Sequence, residues 1–174
     1  MKLFSMPILI MILGMMVLGC KKEMKTDPDA LPAETQTGSI MFACRMNGTK
    51  WMPAKKMDVD GSFDGNLIRI KGSVFLADAF EGLDIEIKNP GARRSFLLAG
   101  SAAEAAVFFS SNRNCFDGPT GYGLGQARSS VGTLVLTKFD TEKKIISGTF
   151  SCQIPTDRCG VLKVTEGRFD VRYY

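Results

Sequence analysis

From residue 40 to the C-terminus, apolar side chains recur at every second position in run after run, and this period is what most limits the fold. Ile40, Phe42, Cys44 and Met46 form one such set. Ile68, Ile70, Val74 and Leu76 share a face, with Arg69, Lys71 and Ser73 on the other, and Leu83, Ile85 and Ile87 alternate with Asp84, Glu86 and Lys88. A period of two places alternate side chains on opposite faces of a half-buried strand and is incompatible with a helix. Further runs are Ser95 to Ala99, Ala106 to Ser110, Val131 to Phe139, Lys144 to Gln153 and Gly160 to Tyr174.

Turn chemistry separates these runs. Asn47-Gly48 suits a two-residue hairpin with positive φ and is followed by a return strand starting at Trp51. DVDGSFDGN, KNPGARR and DGPTGYGLGQ read as longer turns, and only SAAEAAV (101–107) has helical composition, for at most two turns. The pattern predicts an all-β domain over residues 39–174, an antiparallel β-sandwich or barrel of about eight to ten strands. In the last run the apolar parity changes, from Leu162 and Val164 to Phe169, Val171 and Tyr173. One extra residue at Glu166-Gly167, a β-bulge with Gly167 at positive φ, returns both sets to the same face.

The N-terminus has a different character. Lys2 precedes sixteen residues, LFSMPILIMILGMMVL, that are apolar but too short to cross about 30 Å of hydrocarbon, which suits a signal peptide over 1–19. The run closes on Val17-Leu18-Gly19-Cys20, which resembles a bacterial lipobox. That resemblance implies that Cys20 carries diacylglycerol and becomes residue one of the mature chain, attached to the membrane by two or three acyl chains. At about 0.8 kcal/mol per buried methylene, a second chain makes attachment effectively stable. Residues 20–38 carry charges, Thr and two prolines with few large apolar groups, and read as a flexible tether reaching roughly 20 to 25 Å. Lys21, in place of Asp, follows Cys20, which favours the outer membrane.

Five cysteines remain to be placed once export is granted. With Cys20 lipidated, Cys44, Cys115, Cys152 and Cys159 are even in number and suggest two disulfides. Their separations, from 6 to 70 intervening residues, do not pair thiolates as a zinc site does. Three connectivities are open. Closing the short Cys152–Cys159 ring stabilises by roughly 2.5 kcal/mol on a chain-entropy model, and Cys44 with Cys115 is then left by exclusion.

LPAETQTG (31–38), FACRMNGTKW (42–51), GTLVLTKFD (132–140), IISGTFSC (145–152) and VTEGRFDVRY (164–173) together resemble a family of small envelope lipoproteins of Bacteroidota built on a domain of unknown function. The likeness runs over nearly the whole mature chain. It implies a lipid-anchored β domain and brings no activity with it. Cys152 stands where the resemblance implies an aromatic or aliphatic residue.

The chemistry that the sequence permits is narrow. There is no histidine, which removes Ser-His-Asp and Cys-His nucleophile systems and the usual imidazole base. Carboxylate-pair chemistry survives, with Glu166 and Asp170, or Glu81, Asp84 and Glu86, as candidates for an enzyme acting on carbohydrate or peptidoglycan. Asp58, Asp60 and Asp64 only superficially resemble a calcium loop and lack its twelfth-position glutamate. A net charge of +4, or +3 once Lys2 is removed, is spread without runs and gives no nucleic-acid footprint. No cofactor or metal is expected. The reading is therefore a non-catalytic binding or assembly module of the cell envelope, attached to the membrane through its N-terminal lipid, with an envelope protein or glycan as partner. Phe116 and Tyr122 in the glycine-rich loop, and Trp51 behind the hairpin, are the candidate contact residues.

The lipid assignment is directly measurable. Growth with a clickable palmitate is expected to label the wild type and to spare Cys20→Ser, which should leave the membrane fraction; label that persists in the variant refutes it.

Overall fold

The computed structural model describes residues 27–99, 103–113, 115 and 125–174, so the signal segment, Cys20, Phe116 and Tyr122 lie outside the described residues. In chain order the strands are β1 (Met41–Met46), β2 (Thr49–Trp51), β3 (Val59–Phe63), β4 (Leu67–Phe75), β5 (Phe80–Lys88), β6 (Ser95–Leu97), β7 (Ala105–Ser111), β8 (Gly125–Arg128), β9 (Val131–Asp140), β10 (Ile145–Pro155) and β11 (Val161–Arg172). They form two antiparallel sheets, six strands in the order β2-β1-β11-β10-β9-β6 and five in the order β3-β4-β5-β7-β8. Neither closes on itself, and the architecture is a β-sandwich.

The alternation puts one set of side chains from each sheet into a shared core. Phe42, Leu134, Leu136, Ile146, Ile154 and Phe169 from the larger sheet meet Ile68, Ile70, Leu83, Ile85 and Ile87 from the smaller, all nearly inaccessible to solvent. Burying each such side chain contributes about 1.5–3 kcal/mol. Phe63 closes one end, its ring 5.1 Å from Phe139 and 5.8 Å from Tyr173 in edge-on contact. Asn47 and Gly48 have φ of 50° and 83°, as the two-residue hairpin between β1 and β2 demands.

One segment differs from the sequence reading, and one decides between two readings. Val59–Phe63, read as part of a turn, is strand β3, and its glycine explains both the misreading and the strand. A Cβ on Gly61 would meet the Val171 side chain at 2.7 Å, so the residue that weakens local strand propensity is what lets β3 approach β11. Ala105–Val107, where the helix-prone stretch overlaps the expected strand from Ala106 to Ser110, begins β7 and pairs with Ile85 to Ile87 of β5. Burial against a neighbouring strand overrides the propensity of alanine.

The bulge is present, but its conformational strain falls one residue earlier than expected. On β11 three steps, from Val164 to Gly167, face two on β10, from Cys152 to Phe150; the same slip recurs against β1 between Ala43 and Arg45. The residue in the left-handed region is Glu166, at φ 52°. Gly167 is required for space: a Cβ there would lie 2.6 Å from the Phe150 ring and from its carbonyl oxygen. A second bulge, on β9 opposite Ser147 and Gly148, moves the inward parity from Leu134 and Leu136 to Phe139.

The cysteines also pair otherwise than expected. The disulfide joins Cys115, beyond β7, to Cys159 in the β10–β11 turn, with Cα atoms 4.9 Å apart, while Cys44 and Cys152 are free and buried. Cys44 lies on β1 and Cys152 on β10 with β11 between them. Two strand spacings amount to about 9.5 Å, beyond the reach of a disulfide. Burial, with Cys152 nearby, pushes the Cys44 thiol up to about 12, and burial alone does the same for Cys152, so both are inert apolar fillers.

Substitution at the bulge separates the two constraints. Gly167→Ala is expected to destabilise by about 2–3 kcal/mol through overpacking against Phe150, whereas Glu166→Gly relieves the left-handed strain and leaves stability unchanged or higher by up to about 1 kcal/mol. Urea titration of both variants checks this; clear destabilisation by Glu166→Gly would show that its ion pairs with Arg45 and Arg168 outweigh the backbone strain.

Candidate functional site

The bulge on β11 has a consequence on the solvent side of the six-stranded sheet. Beyond it the odd-numbered residues point inward, so Asp170 points outward, yet it is completely buried. The cover is the chain itself. Thr35 Oγ1 donates to the Asp170 carboxylate at 2.6 Å, Gly38 N at 2.8 Å, Thr37 N at 3.0 Å, and Ser39 N and Oγ at 3.1 and 3.0 Å. From the neighbouring β10, Ser147 Oγ donates at 2.7 Å. Burial pushes the carboxyl up, but the donors Thr35, Ser147, Ser39 and Gly38 outweigh it and hold the group well below the usual carboxylate range.

The rest of that segment is tied down as well. Asp29 pairs with Arg45 at 2.9 Å, Lys50 Nζ donates to the carbonyls of Pro28 and Ala30, Arg168 Nη1 donates to that of Pro32, and Lys138 Nζ to that of Gln36. Residues 27–39 thus form a strap that runs from the β2 edge across β1 and β11 to β9. In sequence this stretch reads as the end of a tether, because its side chains are small and polar. Those hydroxyls and glycine are what a buried carboxylate needs from its donors.

Beside the strap lies an open trough. Register places Leu97, Thr133 and Ser151 in one outward row across β6, β9 and β10, and Ser95, Val135, Thr149 and Arg168 in the next, which extends to β11. Glu34 from the strap, Thr133, Val135, Thr149, Ser151 and Arg168 line a cavity of about 340 Å³. Val131, Ser151, Gln153, Lys163 and Thr165 line an adjoining one of about 250 Å³. Glu166, at the bulge, pairs with Arg45 at 3.3 Å and Arg168 at 3.9 Å at the margin. Leu97 is 73 % exposed, and Val131 and Val135 add apolar surface.

The carboxylates proposed from sequence do not all meet. Asp170 is enclosed by its donors and Glu166 is engaged with arginines. Glu81 accepts from Trp51 Nε1 at 3.0 Å and pairs with Arg113 at 3.4 Å. Asp84 and Glu86 do share the outer face of β5, beside a cavity of about 200 Å³ with Arg69, Lys71, Phe108 and Gln126. Burial raises the Asp84 carboxyl, Lys71 lowers it, and Glu86 raises it further; Glu86 is held by Arg69 at 3.2 Å. Asp58 ends a 3₁₀ turn, Asp60 lies on β3, and Asp64 accepts the backbone N–H groups of Asn66 and Leu67, which hold its carboxyl low. Trp51 lies in the core, its ring 5.9 Å from that of Phe42.

Comparison with known proteins adds no relative: no family model, no curated protein and no solved structure matches the chain.

Asp170 supplies a test with a defined sign. Its folded pKa is depressed, so its contribution is fully present above the ordinary aspartate value of about 4 and is lost as pH falls below it. Asp170→Ala is expected to cost about 3 kcal/mol or more at neutral pH and to reduce the acid-induced loss of stability. Urea melts across pH 2–7 report both; a wild-type acid slope unchanged in the variant would show that Asp170 is not the linked group.

Proposed function

We propose that this chain is a lipid-anchored module of the cell envelope, placed at the outer membrane through Cys20, which binds or assembles with a partner and carries out no reaction. The observation that carries the reading is the strap. Residues that in sequence only connect the anchor to the domain are bonded across a sheet face, where they wall one side of the trough. Hydroxyls of Thr133, Thr149 and Ser151, the Glu34 and Arg168 side chains, and the aliphatic groups of Val131, Val135 and Leu97 together suit a polypeptide segment. Such a segment offers backbone amides and apolar side chains in alternation. Among the described residues, β6 is the outermost strand of its sheet and pairs with β9 alone, which suits addition of a further strand beside Leu97.

A second reading, an enzyme acting on carbohydrate or peptidoglycan, draws on Asp84, whose raised carboxyl stands two residues from Glu86 in a charged cavity. A carboxyl raised by burial beside a second carboxylate is the pairing that general acid catalysis on glycosides uses.

The readings part in one comparison. A protein partner that co-purifies from detergent extract with the wild type is expected to be lost from Thr149→Arg/Ser151→Arg, which fills the trough, while the melting temperature changes by less than about 4 °C. Retention of the partner by that variant overturns the trough as the contact surface. Release of reducing ends from peptidoglycan by purified protein, abolished in Asp84→Asn, would put the enzyme in its place.

A further inference from the structure

The strap shortens the connection between lipid and domain. It is fixed to the sheet from Pro28 onward, by Lys50 on β2 and Arg45 on β1, so only Lys21 to Asp27 separate Cys20 from the first bonded residue. Even fully extended, that length spans about 25 Å. Whatever surface lies beside β2 is therefore kept close to the bilayer.

That flank is apolar and exposed. The chain leaves β2 at Trp51 and within six residues presents Lys55, Lys56 and Met57, the last 82 % exposed. Trp51 is bonded to Glu81, the register partner of Val74, which places the end of β4 at the same flank. There Phe75 is 66 % exposed and Leu76 43 %. Phe75 packs on Phe80 with ring centroids 5.3 Å apart, which stiffens it without covering it. The 3₁₀ turn carrying Met57 lies against β4, so the three side chains stand at the same end of the smaller sheet, with Lys55 and Lys56 but also Asp58 and Asp78 in the same turns. Large exposed apolar groups beside lysines match a membrane interface, where rings and thioethers enter below the headgroups and ammonium groups stay among the phosphates.

We infer that the β2 flank, with Met57, Phe75 and Leu76 as its apolar points and Lys55 and Lys56 beside them, seats on the bilayer that holds the lipid anchor. The inference rests on the lipid-anchor reading and adds to it an orientation. The hairpin side of the sandwich lies on the membrane, while the β6 edge and the adjoining trough point away from it, toward a partner.

Spin labels on the mature, lipidated chain in vesicles of phosphatidylethanolamine and phosphatidylglycerol test this, one at Met57→Cys and one at Lys143→Cys in the β9–β10 turn. Cys44 and Cys152 are buried and Cys115 and Cys159 bonded, so each variant should take one label and the wild type none. The expected result is that collisions with oxygen exceed those with a water-soluble nickel chelate at position 57, and that the order reverses at position 143. Adding Phe75→Ser/Leu76→Ser should return position 57 to the aqueous pattern without loss of fold. Vesicle-bound protein with the aqueous pattern at both sites overturns the inference and leaves the anchor standing. A label at 57 shielded from both reagents overturns it in favour of contact between copies of the chain. A label taken up by the wild type at Cys20 refutes the anchor, and the inference with it.

Discussion

The buried carboxylate of Asp170 is the constraint on which the outer face of this protein depends. An aspartate taken out of water without compensation costs several kcal/mol, and here the compensation comes from hydroxyls and main-chain N–H groups. Six of the bonds come from residues 35–39, at 2.6 to 3.4 Å. Charge-assisted bonds of this kind are about twice as strong as neutral ones. They fix the strap, and the strap in turn fixes the entry into β1, where Gly38 and Ile40 take φ of 72° and 59°.

Asp170 can occupy that position only because β11 carries its bulge. Without the extra residue the parity of the strand would not change, and residues 169, 171 and 173 would leave the core. The same step that returns Phe169 and Val171 to the interior turns Asp170 outward beneath the strap. Space at the bulge comes from Gly167, while the left-handed backbone is borne by Glu166, whose carboxylate Arg45 and Arg168 engage. Sterics and backbone strain, often assigned together to one glycine, are here divided between neighbours.

Strap, trough and β2 flank are three results of one chain path. By crossing the sheet before entering β1, the N-terminal segment places Pro28 to Ala30 at the β2 edge. Among the described residues it also leaves the region between strap and β6 open on the other side. The Cys115–Cys159 bridge joins loops that leave opposite sheets, a cross-link between the two layers that hydrogen bonding within either sheet does not provide.

Local sequence determined the fold class, the Asn47-Gly48 hairpin and the shift of parity in β11, because period two and turn chemistry are properties of neighbouring residues. It also brought Asp84 and Glu86 to notice, two residues apart on one strand. It misread β3, since Gly61 is chosen by Val171, a residue far along the chain, and it left Ala105–Val107 between helical composition and the strand run from Ala106, a choice that pairing with β5 makes. It paired the cysteines by loop length, whereas strand order decided the matter by putting β11 between Cys44 and Cys152. The strap stayed illegible for the same reason. TQTGS is indistinguishable from a linker until a buried carboxylate more than a hundred residues later is seen to require its donors. Such long-range requirements exist only once the sheets are assembled, and they decided where the site lies.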